Sequence, residues 1–211
     1  MHNLVQTVED ELLPQLEIES PHTQDPVTVG FVPQPWKLLG TGNYAAVFFH
    51  PGAPDRAVKV YAPGRRGLRE EAEVYRRLGS HPAYSECYHA DERYLILKRL
   101  HGITLYDCLR RGIRIPKQAI RDIDEALDYA RKRGLHPHDI HGKNVMVEQG
   151  RGKVVDVSDF LKRESCEMWD DFKKAYHALY TPLLLRRPVP LPDFILNGVR
   201  RGYRLFRRSG R

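Results

Sequence analysis

Cysteine is scarce in this sequence. Cys87, Cys108 and Cys166 are odd in number, widely spaced and form no C-x-x-C, which argues against a disulfide framework or a cysteine-based zinc site. No apolar run approaches the length that crosses a bilayer. Lys and Arg are missing from the first thirty residues, so the charged start of a secretory signal is not seen, and the expected setting is the cytoplasm. The same stretch holds six acidic residues, whereas residues 181–211 hold eight arginines against Asp193 alone. That asymmetry suggests either ends that attract one another or a basic end that meets an anionic partner, a membrane surface or nucleic acid. What is present is the material of one medium folded domain with modest extensions: 211 residues, 41% apolar and 29% charged.

Taken in order, Leu4, Val5, Val8 and Leu12 recur at helical spacing behind Asn3 as a cap, and Pro14 ends the helix. Pro21, Pro26, Pro33 and Pro35 give residues 20–35 the look of a linker, so 1–35 is expected as an acidic helix and linker. From Trp36 to Phe49 the pattern is strand, Gly turn, strand. Gly40 and Gly42 lack Cβ, which lets backbone approach phosphate oxygens, although a plain hairpin would look the same. Lys59 stands among apolar residues in the strand Arg56 to Tyr61, where a buried ammonium needs a carboxylate unless it snorkels from an edge. The next helix offers one: Leu68, Ala72, Tyr75 and Leu78 form its apolar stripe, Glu71 borders that stripe, and Glu70 and Glu73 fall to the solvated face.

His89 to Leu100 reads as a hairpin, followed by a Gly turn and a short helix capped by Thr104, the expected place of a hinge. Pro116 opens a helix with Ile120, Ile123, Leu127 and Ala130 on one face, and Gly134 closes it. Trp169, Phe172, Tyr176 and Leu179 mark another buried helix, with Asp170 or Asp171 placed to bond to backbone. In the last stretch Ile195, Val199, Tyr203 and Phe206 share a side, with arginines largely opposite. Gly198 and Gly202 weaken the helix, and packing on the domain is favoured over binding to lipid or nucleic acid.

The stretch that organises the rest is His136 to Val147, followed by Lys153 to Ser158. An aspartate, five residues to an asparagine, an apolar strand, a Gly turn and a second strand ending in aspartate is the order a phosphoryl-transfer site requires. Asp139 would accept the proton of an attacking hydroxyl, and Asn144 and Asp156 would hold Mg²⁺. In isolation Asp139 and Asn144 would pass for ordinary turn residues.

Together, in this order and spacing, these motifs resemble the protein-kinase-like superfamily from about Trp36 to Tyr180, and in size the small bacterial serine/threonine-kinase-like proteins. The resemblance implies an α+β, two-lobed fold: a five-stranded antiparallel sheet plus a helix over 36–97, a reduced helical lobe over 101–180, and a basic segment over 181–211. It also implies ATP and Mg²⁺. Leu39, Gly40, Thr41, Gly42, Asn43, Tyr44, Ala45, Ala46 and Val47 would cover the phosphates, Lys59 would bind them and Glu71 would hold Lys59. The backbone from Lys98 to Leu100 would meet the adenine, with Leu97 behind it. The sequence departs from the family where Pro137 and His138 replace the His-Arg before the base, so no activation-loop switch is expected. Ser158 replaces the glycine after the metal aspartate. His141 stands where protein-serine kinases use lysine, and Lys143 could supply that charge. The implied activity is an ATP-dependent phosphotransferase of serine/threonine protein kinase type, acting on a hydroxyl-bearing substrate, a protein. Alternatives are a small-molecule or glycan kinase, and a pseudokinase scaffold.

Overall fold

Strand alternation and helical stripes sort the chain into two compact units. One comprises Met1–Leu100, Tyr129–His138 and Val157–Glu164, and the other His101–Asp128, Asp139–Asp156 and Ser165–Arg211. The computed structural model describes residues 2–22 and 25–209, and in the last helix the side chains of Arg200 and of residues 203–209 lie outside that description.

The first unit begins with α1 (His2–Thr7), which runs on into a π-helical turn, Val8–Leu12. Asn3 lies inside the first turn rather than capping it, and its carbonyl accepts from Thr7 Oγ1 at 2.8 Å. The hairpin β1 (Glu17–Glu19) and β2 (Thr28–Phe31) follows, so residues 20–35 hold a paired strand where a linker is expected. The physical reason is burial. Val8, Leu12, Ile18 and Val27 join Trp36, Ala46, Phe48, Val58, Val60, Tyr94 and Ile96 in one core, covering a sheet face that would otherwise stand in water.

That face belongs to β3 (Lys37–Thr41), β4 (Ala45–Phe49), β5 (Arg56–Tyr61), β6 (Cys87–Ala90) and β7 (Tyr94–Lys98), antiparallel in the order β3-β4-β5-β7-β6. Because side chains alternate, Ala46 and Phe48, Val58 and Val60, and Tyr94 and Ile96 share one face. The helix α2 (Leu68–Leu78) lies against β6 and β7 and buries Leu68, Glu71, Val74, Tyr75 and Leu78.

Two later segments complete this unit, which the expected 36–97 boundary leaves out. Tyr129 donates its hydroxyl to Leu78 O at 2.7 Å, His136 N–H donates to Phe160 O at 2.7 Å, and the Phe160 ring meets Tyr84 edge-on.

In the second unit β8 (Ile103–Thr104) leads into α3 (Leu105–Arg111), and Thr104 Oγ1 accepts from Asp107 N–H at 3.0 Å, the expected cap. The helix α4 (Lys117–Lys132) turns Ala119, Ile120, Ile123, Ala126 and Leu127 inward. The strands β9 (Val145–Glu148) and β10 (Arg151–Val154) pair with β8 in the order β10-β9-β8. Next come α5 (Met168–Ala175), a π-helical turn Tyr176–Tyr180, α6 (Thr181–Leu183) and α7 (Asp193–Ser209). Trp169 and Tyr176 are buried as expected, but Leu179 is 61% exposed. The wider π turn shifts the phase by a residue, so Tyr180 faces inward instead, accepting from Ile115 N–H at 2.9 Å. Asp170 and Asp171 pair with Lys173 and Lys174 at 3.2 and 3.0 Å.

The hairpin β9–β10 sits hard on α4. A Cβ added at Gly152 would overlap Ala119 O and stand 2.9 Å from Ile123 Cγ1. Gly152→Ala is therefore expected to cost about 3 kcal/mol through overpacking, lowering Tm by roughly 6–12 °C in a thermal melt.

A second clamp holds the same contact. Buried Asp122 accepts from Arg151 Nε and Nη2 at 2.7 and 2.9 Å, from Gly152 N–H at 2.9 Å and from Gln118 at 2.7 Å. Burial alone would raise its pKa, but these donors outweigh it and hold the carboxyl at about 2 against an ordinary 3.8. Its folded-state pKa is depressed, so its stabilisation is present above about pH 4 and is lost as pH falls toward 2. Chemical denaturation should show Asp122→Asn less stable by about 2 kcal/mol at pH 7, the gap from the parent closing between pH 4 and 2.

Candidate active site

Lys59 and Glu71 form a buried ion pair. β5 carries Lys59 on the face opposite Val58 and Val60, α2 carries Glu71, and Lys59 Nζ lies 2.8 and 2.7 Å from the two carboxylate oxygens of Glu71. Lys59 is 9% exposed and Glu71 fully buried. The hydroxyl of Tyr61 also donates to Glu71 Oε2, and Lys59 Nζ lies 5.8 Å from the Tyr61 ring centroid. Tyr61 was not singled out among the sequence candidates, yet it stands two residues from Lys59 in one strand, which places both on the same face.

Leu39 to Val47 run from the end of β3 through the connecting residues 42–44 into the start of β4. Gly42 N–H donates to Ala45 O at 2.8 Å, and a Cβ at Gly40 would meet no atom within 4 Å. That open space fits a backbone approached by phosphate oxygens, and Leu38 and Leu39 are 44% and 43% exposed beside it. In the strand expected to meet the adenine, Lys98 N–H donates to Glu86 O at 2.8 Å, and the Lys98 carbonyl accepts from Ser85 Oγ at 2.7 Å, which leaves that oxygen a second lone pair.

The second unit contains Asp139, Lys143, Asn144 and Asp156. Asp139 has φ 56°, a left-handed conformation that Asp tolerates better than most residues. Asn144 Nδ2 donates to Asp139 O at 3.0 Å, which orients the amide so that Oδ1 is the atom left to meet a cation. The ladder pairs Val145 with Val154, and Val155 N–H donates to Asn144 O at 2.8 Å. Asp156 thus follows directly from a residue bonded to Asn144, and the hairpin brings together the two oxygen-bearing residues expected to hold Mg²⁺. Along the sequence, Asp139 opens one segment of the second unit and Asp156 closes the same segment.

His141 and Lys143 flank this loop. His141 Nδ1 accepts from Lys143 N–H at 3.2 Å, which turns Nε2 toward Asp139 Oδ2, 3.7 Å away. Lys143 Nζ lies over the Tyr106 ring, 4.8 Å from its centroid, and Tyr106 N–H donates to Gly142 O at 2.8 Å. Tyr106, at the start of α3, is a support for the loop that motif spacing does not reveal. Gly102 is another: a Cβ there would stand 2.8 Å from Val147 O in β9.

No family model matches the chain. Among solved structures it is similar to the Mycobacterium tuberculosis PknI kinase domain, 26% identical over 58% of this chain and 57% of that one, with a TM-score of 0.45. The chain thus spans less than three fifths of that solved chain. A curated Bacillus subtilis (strain 168) protein named "Putative serine/threonine-protein kinase YrzF" is 36% identical over 156 residues, which cover 72% of this chain and 73% of that one. With that identity over most of both chains, and a five-stranded antiparallel sheet joined to a helical unit, the chain belongs to the protein-kinase-like superfamily.

Proposed function

We propose that the chain is an ATP- and Mg²⁺-dependent phosphotransferase of serine/threonine protein kinase type. The observation that carries the reading is the loop from Asp139 to Asn144, tied through the β9–β10 hairpin to Asp156. In it Asp139 takes the proton of the acceptor hydroxyl as that oxygen bonds to the γ-phosphorus of ATP, and ADP departs with the bridging oxygen. Asn144 and Asp156 would hold Mg²⁺, which neutralises charge on the phosphates. Lys59, fixed by Glu71, binds the α- and β-phosphates, Gly40 and Gly42 admit phosphate oxygens to the β3–β4 turn, and Lys143 supplies positive charge at the loop. The printed name of the Bacillus subtilis relative supports a protein as acceptor.

His141 beside Asp139 favours a second reading, a kinase of small molecules or glycans. Incubation with γ-labelled ATP, Mg²⁺ and either generic Ser/Thr protein substrates or a panel of small alcohols separates them. Label in protein supports the first reading, label only in small alcohols the second. Transfer undiminished in Asp156→Ala would remove both.

A further inference from the structure

The helix α7 (Asp193–Ser209) has a divided sequence. At 100° per residue, Ile195, Leu196, Val199, Tyr203 and Phe206 take positions on an arc of about 100°, and the five arginines from Arg200 to Arg208 take the neighbouring arc of about 120°. Packing on the domain is the sequence expectation for the apolar arc. Of the described side chains on that arc, Leu196 is half-buried but Ile195 is 41% and Val199 68% exposed, and Leu183 just upstream is 71% exposed. Arg201 is exposed as well, while Tyr203, Phe206 and the remaining arginines of α7 lie outside the described side chains.

Exposed Ile195 and Val199, on a helix whose sequence sets five arginines on the neighbouring arc, need an occupant that takes both. Nucleic acid would satisfy the arginines through its phosphates and leave Ile195 and Val199 in water. A second copy would cover the apolar arc while bringing two rows of arginines together at a repulsive cost. The headgroup zone of an anionic bilayer takes both at once: phosphates meet guanidinium groups, and apolar side chains enter the acyl boundary. The helix cannot cross instead, since no helix of the described residues is long and apolar enough to do so. Asp193 is the only acidic residue between 181 and 211, so nothing in this stretch repels an anionic surface strongly. We propose that α7 lies in the plane of an anionic membrane surface and holds the protein there.

The link to the rest of the unit is short. Tyr106 donates its hydroxyl to Asp193 Oδ1 at 3.4 Å, and the same ring carries Lys143 of the candidate catalytic loop. Docking would therefore place that loop within one side chain of the bound helix.

Co-sedimentation of the full chain with vesicles of phosphatidylcholine alone, or with 30% phosphatidylglycerol, tests this. Binding is expected to the anionic vesicles, at least about tenfold tighter than to neutral ones, since polybasic attraction falls away with the lipid charge. Ile195→Asp with Val199→Asp should weaken it at least about tenfold, because acid in the apolar arc opposes both insertion and the surface charge. Both sites are exposed, so an unchanged thermal melt for that variant confirms that the fold is retained. Arg204→Gln with Arg208→Gln should erase the preference for anionic lipid. The proposal is overturned if neither vesicle binds the parent, or if the Asp variant binds as the parent does. Tight binding to a DNA duplex without binding to vesicles overturns it in favour of nucleic acid. Concentration-dependent dimers that the Asp variant abolishes, without vesicle binding, overturn it in favour of self-association.

Discussion

Replacing Asp139 with asparagine is expected to lower phosphoryl transfer from labelled ATP by about 10²–10⁴, the span that a positioned general base contributes. Asparagine is the informative substitution. It shares with aspartate a tolerance of the left-handed backbone at φ 56°, and the bond from Asn144 Nδ2 uses the Asp139 carbonyl, which the change leaves in place. The thermal melt should therefore stay near that of the parent while turnover collapses. A thermal shift with ATP and Mg²⁺ should persist, because the base meets the acceptor hydroxyl rather than the triphosphate. Unchanged turnover in Asp139→Asn would remove the proposed mechanism.

The largest stability effect is expected at Glu71. Glu71→Ala removes the Glu71 carboxylate from Lys59, a residue only 9% exposed, and takes an acceptor from the Tyr61 hydroxyl. Breaking a buried pair from one side costs about 3–5 kcal/mol, so Tm should fall by roughly 6–20 °C. Replacing both charges, Lys59→Met with Glu71→Leu, should recover much of that loss, because apolar residues of similar volume often match a buried pair in stability. The two consequences then separate. The double variant should melt near the parent yet show no thermal shift with ATP and Mg²⁺, whereas a ligand at a hundred times its Kd stabilises a competent protein by about 2.7 kcal/mol. A double variant that is both stable and shifted by ATP would show that Lys59 holds the fold and not the nucleotide.

The ion pair was legible in the sequence because it obeys two short-range rules. Lysine amid apolar strand residues needs a partner, and Glu71 borders a helical stripe. The nearness of Asn144 and Asp156 in the hairpin was legible for a similar reason, since two strands joined by a tight turn fix what stands at their far ends. Less was legible where long-range packing overrode local signals. The prolines between residues 20 and 35 suggested a linker, but the exposed face of the β4–β5–β7 sheet drew Ile18 and Val27 back onto it. A 3.6-residue period turns Leu179 inward, and the π turn at Tyr176 breaks that period. The support of the loop by Tyr106 depends on α3 returning beside Gly142, which no spacing within either motif encodes.

The division into units carries a consequence for heredity. The chain changes unit after Leu100, Asp128, His138, Asp156 and Glu164, so neither unit corresponds to one uninterrupted stretch of coding sequence. A single recombination event cannot transplant either one whole. A donor fragment ending at residue 100 would arrive without the ten residues from Tyr129 that bond to Leu78 and Phe160. The arginine-rich helix, by contrast, is one uninterrupted stretch whose described side chains include none that are buried, so it can be exchanged without cutting through either unit's core.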